Sequence, residues 1–187
     1  MPRLTIEPLS PDGALRRIRR HPIQDDRGSF TRLFCVEELI AGGWPGPVRQ
    51  ANLSQTKREG SIRGMHFQHA PHAETKLVLC LRGKVWDVAC DIRKGSPFFL
   101  NSWSCELSAA NGIALLIPPG FAHGFQALSD HVELLYFHSE NYVPAAEDGL
   151  NPLDPKLSIA WPVDVTEMSD RDRHRPVLKA DYEGISL

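Results

Sequence analysis

Residues 75–92, Thr75-Lys76-Leu77-Val78-Leu79-Cys80-Leu81-Arg82-Gly83-Lys84-Val85-Trp86-Asp87-Val88-Ala89-Cys90-Asp91-Ile92, decide the fold class. Two apolar runs flank Arg82-Gly83, a pair that reads as the turn of a hairpin. Side chains alternate across a strand with a period of two. Trp86, Val88, Cys90 and Ile92 therefore share one face, and Val85, Asp87, Ala89 and Asp91 the other. One face is apolar and the other carries carboxylates, either solvated or partnered. Lys76, in the preceding run, is expected near Asp87 across the hairpin.

Outward from this segment the pattern repeats. Residues 48–53, 112–117 and 133–138 are further strand candidates, separated by Gly and Pro. Helical periodicity is confined to Val36-Glu37-Glu38-Leu39-Ile40, closed by Gly42-Gly43, and a weak turn at Ser169-Asp170-Arg171-Asp172. The 15 Pro and 14 Gly mark turns, since no repeat period or low-complexity linker accompanies them. At 187 residues, 42% of them hydrophobic, the chain is expected to form one domain over residues 1–187. Its architecture is all-β, a sandwich or barrel with a core at about 45–145 and an irregular tail over 150–187.

Charge and composition exclude partners. With 21 basic and 23 acidic residues the net charge is −2, so no nucleic-acid or membrane-surface binding is expected. Any phosphate must be held by individually placed side chains. No apolar run approaches membrane-spanning length, and MPRLTIEPLSPDGALRRIRR lacks the apolar segment of a secretory signal. A cytoplasmic protein is the expectation. Cys35, Cys80, Cys90 and Cys105 show no zinc-binding or redox spacing, and Cys80 and Cys90 read as buried apolar thiols.

Two segments carry chemistry. The first runs Arg63-Gly64-Met65-His66-Phe67-Gln68-His69-Ala70-Pro71-His72-Ala73-Glu74-Thr75-Lys76, the second Ile117-Pro118-Pro119-Gly120-Phe121-Ala122-His123-Gly124-Phe125. Their order resembles the two motifs of the cupin superfamily, small jelly-roll β-barrels that frequently hold a metal. A metal needs three or four ligands converging from neighbouring strands. Gln68 stands where cupins usually place the second His, and Ala70-Pro71 interrupts the strand between His66 and His72. His69, His72, Glu74 and His123 could complete a set, but the expectation is no metal.

A narrower resemblance follows from nine ordered segments spanning roughly residues 20–178. They include Asp25-Asp26-Arg27-Gly28-Ser29-Phe30, Gln50-Ala51-Asn52-Leu53-Ser54, Arg63–Gln68, Lys76-Leu77-Val78, and Asp87 to Arg93. Pro118–Phe125, Tyr136 with Tyr142-Val143-Pro144, Trp161-Pro162 and Ser169–Asp172 continue the match. The chain resembles the dTDP-4-dehydrorhamnose 3,5-epimerase family, which implies a cupin-type jelly roll with short peripheral helices, a homodimer, and no cofactor. The implied substrate is a dTDP-linked 4-keto-6-deoxyhexose, inverted at C3 and C5. A C3-only or C5-only epimerase of a deoxysugar pathway, and a metal-dependent cupin enzyme, remain as alternatives.

The resemblance also implies roles. His66 is the base, with Asp172 as partner carboxylate or Asp170 if the register slips; Tyr136 is the proton donor; Lys76 lies at the sugar carbonyl with Asp87 behind it. Protons next to a ketone are removable because the charge delocalises onto oxygen, so a base, an opposed acid and a cation at the oxygen suit the reaction. Arg27 and Arg63 correspond to arginines at the diphosphate, where a planar guanidinium fits phosphate oxygens. Gln50 and Asn52 line the nucleotide and sugar site, His123 the hexose, and Phe30 and Tyr142 the thymine; Glu147 and Trp161 follow. Two residues depart from the family pattern: Arg32 replaces a common acid, which bears on recognition of the base, and Glu74 replaces a common Gln.

Overall fold

The computed structural model describes residues 2–187. Its strands are β1 (Leu4–Pro8), β2 (Arg16–Arg20), β3 (Ile23–Asp25), β4 (Gly28–Phe30), β5 (Gln50–Thr56), β6 (Ile62–Gln68) and β7 (Lys76–Arg82). They continue with β8 (Lys84–Asp91), β9 (Ser102–Ser108), β10 (Ile113–Ile117), β11 (Phe121–Ala127), β12 (Val132–His138) and β13 (Glu147–Gly149). Two short α-helices, α1 (Val36–Ile40) and α2 (Asp170–Arg173), and a 3-10 helix at Pro155–Leu157 complete the set. Six strands form one sheet in the order β1-β2-β10-β7-β12-β5, and five form a second in the order β13-β6-β11-β8-β9. The β3–β4 hairpin belongs to neither. Among the described residues no helix is long and apolar enough to cross a membrane.

The expected hairpin at Arg82-Gly83 is corrected. β7 pairs with β10 and β12, whereas β8 pairs with β11 and β9, so the chain turns a corner between sheets there. A two-residue hairpin needs positive φ at both central residues, or Gly at the first. Here only Gly83 has it, at +73°, and a Cβ on it would meet Ser129 Oγ at 2.6 Å. The expected Lys76–Asp87 pairing falls with the hairpin: Lys76 pairs with Glu74, and Asp87 with His123.

Three apolar layers explain why both faces of the central strands read as buried. Between the sheets lie Val78, Cys80, Val85, Ala89, Leu107, Leu115, Phe125 and Leu134. The outer face of the five-stranded sheet presents Met65, Phe67, Val88, Cys90 and Ile92, covered by Leu150, Leu157 and Ile185 of the tail. The outer face of the six-stranded sheet presents Leu77, Leu79, Ala114 and Leu116 to Leu39 of α1 and Trp44. The carboxylate face of β8 is therefore the sandwich interior: Asp87 and Asp91 are both fully buried. β1 and β2 extend the sheet beyond the expected 45–145. Burial pushes the thiol pKa of Cys80 up to about 11 and of Cys90 up to about 12, so both stay protonated in the core.

Candidate active site

The five-stranded sheet supplies one wall. β6 and β11 pair so that His66 stands opposite His123. Their backbones approach at Gly64 and Gly124, where a Cβ on Gly64 would meet Gly124 Cα at 2.4 Å. Glycine is required there because any side chain would drive the strands apart. His66 Nε2 lies 2.7 Å from Asp172 Oδ1. That carboxylate is fixed by α2, whose N-cap Ser169 accepts the Asp172 N–H at 3.1 Å. Burial alone would raise the Asp172 pKa; the hydrogen bond and charge of His66 outweigh it and hold it below the usual value. Beside this pair, His123 Nε2 lies 2.9 Å from Asp87 Oδ1, deep in the interior. Asp87 thus serves His123, which corrects its expected pairing with Lys76.

The six-stranded sheet supplies the opposite wall. Tyr136 and His138 come from β12 and Lys76 from the start of β7, with Lys76 and His138 in register. The Tyr136 ring meets His123 edge-on, with centroids 6.1 Å apart. Its pKa is raised, by burial first and by the negative charge of Asp87 second, so the phenol is protonated at neutral pH. Lys76 Nζ pairs with Glu74 Oε1 at 3.2 Å and reaches the His66 carbonyl at 3.4 Å.

Between the walls lies a cavity of about 280 Å³, lined among others by His66, Lys76, His123, Tyr136, Asn52, Arg63, Tyr142 and Glu147. A groove of about 700 Å³ adjoins it, sharing Arg63 and His66 and adding Lys57, Arg171 and Arg173. At the cavity rim Glu147 accepts from Tyr142 Oη and from Arg171 Nη1, each at 2.7 Å.

Most residues expected from sequence meet here, and four, Arg27, Phe30, Gln50 and Trp161, line neither the cavity nor the groove. Arg27 sits on the β3–β4 hairpin with its side chain 90% exposed, paired only with Asp25 at 2.7 Å. Phe30, on the same hairpin, is 72% exposed. Gln50 acts indirectly, its Oε1 accepting the Tyr142 N–H. Trp161 donates to the Pro152 carbonyl and packs against the tail cluster. Arg32 pairs with Glu38 of α1. Sequence reasoning missed Arg171 and His138: the first lies in an anonymous charged turn, and the second reads as one more strand residue until β7 pairs beside it.

The histidines do not pool. His66, His69, His123 and His138 each take a different carboxylate, Asp172, Asp148, Asp87 and Glu74 respectively. Among the described residues no three His, Cys, Asp or Glu side chains are grouped to hold a metal ion.

A jelly-roll barrel with imidazole–carboxylate pairs on one wall and a phenol and ammonium on the other defines a cupin-type isomerase. The chain belongs to the dTDP-4-dehydrorhamnose 3,5-epimerase family, whose sequence model matches residues 13–180. A dTDP-4-dehydrorhamnose 3,5-epimerase of Shigella flexneri is 41% identical over 162 residues, covering 84% of this chain and 88% of the relative. A dTDP-4-dehydro-6-deoxyglucose 3-epimerase of Streptomyces bikiniensis is 37% identical over 177 residues, covering 92% and 88%. The solved dTDP-6-deoxy-D-glucose-3,5-epimerase of Legionella pneumophila, in complex with dTDP-4-keto-L-rhamnose, is 32% identical with a TM-score of 0.89. That match covers 98% of this chain and 99% of the other.

Proposed function

We propose that this protein epimerises dTDP-4-dehydro-6-deoxy-D-glucose at C3 and C5, giving dTDP-4-dehydro-L-rhamnose. The observation that carries the reading is the opposition of His66, backed by Asp172, to Tyr136 across one cavity. His66 takes the proton from C3, the C–H electron pair delocalises onto the C4 oxygen, and the Lys76 ammonium stabilises the enolate. Tyr136 then gives its proton to the opposite face of the carbon, which inverts it; the tyrosinate recovers a proton from solvent and the His66 imidazolium releases one to it. The same cycle at C5 completes the double inversion. Carbon enters and leaves each step at the same oxidation level, so the chemistry calls for no redox carrier.

Arg63, with Arg171 in the adjoining groove, is assigned to the diphosphate, and Tyr142 to the base. Arg27 and Phe30 reach a nucleotide only if a second copy presents its hairpin. A two-stranded hairpin outside either sheet is marginal alone, so we assign a homodimer in which this hairpin docks on the partner. Four unpaired thiols fit a cytoplasmic site of action.

Incubation with the keto-sugar in D2O, with deuterons counted at C3 and C5 by NMR, tests the reading. Deuterium at both positions with an L-configured product is expected; no incorporation overturns it. The 3-epimerase relatives favour a second outcome, inversion at C3 alone, which the same spectrum distinguishes.

A further inference from the structure

One pair in the cavity has no task in this reaction. Glu74, just before β7, has a side chain only 8% exposed, yet it faces the cavity and bridges two strands. Its Oε1 pairs with Lys76 Nζ at 3.2 Å, and its Oε2 lies 2.8 Å from His138 Nδ1. Burial pushes the carboxyl pKa up, but the His138 hydrogen bond and the Lys76 charge outweigh it, and Glu74 is held below its usual value. It is an anion at neutral pH, and an anion at Nδ1 fixes the ring with a proton on that nitrogen. The imidazole lies nearly parallel to the Tyr136 ring, with centroids 6.0 Å apart at 20°. Nδ1 is engaged by Glu74, so Nε2 is the nitrogen left for whatever fills the cavity that His138 lines.

We propose that His138 anchors a hydroxyl of the bound sugar through Nε2, and that Glu74 is the positioning residue that holds both His138 and Lys76 for this purpose. A hydroxyl suits either state of the ring, donating to the neutral form and accepting from the protonated one. Lys76 and His138 are cross-strand partners in register, so their side chains address adjacent points of one ligand. This inference rests on the keto-sugar reading above. With Lys76 at the C4 ketone, the hydroxyl on an adjacent carbon is the one on C3, because C5 bears the methyl group and the ring oxygen. The pair therefore makes the site selective for a keto-sugar that carries a hydroxyl beside its ketone.

The test compares KM for the keto-sugar with KM for its 3-deoxy analogue, using C5 deuterium exchange as the assay for both. The wild-type protein is expected to disfavour the analogue by about tenfold or more, since a lost polar contact leaves the site's own group unpaired. His138→Phe brings the two KM values within about threefold of each other, and His138→Gln, which keeps a hydrogen-bonding end, restores part of the discrimination. Glu74→Gln lowers the ratio less than His138→Phe does, and leaves it unchanged once His138→Phe is present. Equal discrimination in wild type and His138→Phe overturns the proposal, as does a wild-type ratio near one. Absence of C5 exchange with the parent sugar in the wild type is a different failure, that of the double-epimerase reading. Discrimination is then scored on analogue inhibition of C3 exchange with the same two variants, and an equal inhibition ratio in both overturns the anchor.

Discussion

The cavity and the β3–β4 hairpin carry similar side chains under opposite conditions. In the cavity each charged group has a partner in place: His66 has Asp172, His123 has Asp87, and Lys76 and His138 share Glu74. On the hairpin Arg27 has only its neighbour Asp25, and Phe30 stands in solvent. Proton transfer needs atoms fixed to a fraction of an ångström, and buried partners provide that before substrate arrives. Gripping a flexible nucleotide tolerates groups that become ordered only on contact. On the proposed reading the chemistry is thus prepared within one chain, while part of the recognition waits for a second copy.

Substitutions break this contrast in graded steps. His66→Ala removes the base from the prepared wall, and C3 and C5 exchange in D2O is expected to fall by about a thousandfold or more. Exchange at the wild-type rate would remove His66 from the mechanism. Tyr136→Phe keeps abstraction but deprives the far face of its donor; inversion is expected to drop by about a hundredfold while exchange without inversion persists. Unchanged double inversion sinks the assignment.

Asp172→Asn probes the preparation itself. With the ring unoriented, kcat is expected to fall by about tenfold or more with little change in KM. The folded-state pKa of Asp172 is depressed, so its stabilising contribution is present above about pH 4 and fades as pH falls through the depressed value. The variant should therefore lose stability at neutral pH and show a flatter decline in Tm on the acid side. An unaltered acid limb contradicts the pairing.

The smallest effects belong to the hairpin. Phe30→Ser and Arg27→Ala should raise KM by about threefold to tenfold and leave kcat nearly intact, with stability within about 0.5 kcal/mol of wild type. Because both residues are exposed, a large loss of Tm would mean that the hairpin is structural and would erase the contrast. Sedimentation of wild type and Phe30→Ser tests the proposed homodimer; a dimer that shifts toward monomer in the variant is expected.

Much of this was legible in the residues. The stretch 36–40 is a helix as its spacing indicates, Ser169 caps the turn that carries Asp172, and the strand candidates at 112–117 and 133–138 fall on β10 and β12. The turn at Arg82-Gly83 was misread because a Gly-marked reversal and a corner between sheets share one local signal. Only the partners of β7 and β8 separate them, and those lie far along the chain. His66 and His69 are three residues apart yet take different carboxylates, Asp172 and Asp148, because closeness in sequence is not closeness of direction.

Sequence by itself determined the all-β class, the order of the motifs and, through their match to a family, the types of residue proposed to do the chemistry. It did so because alternation, turn residues and motif spacing are local properties of a chain. Tertiary structure alone decided that the carboxylate face of β8 is interior, that Asp87 serves His123, and that Glu74 joins Lys76 to His138. Each of those follows from which strands lie opposite one another, and burial and pairing are settled there, by contacts between residues that local pattern does not connect.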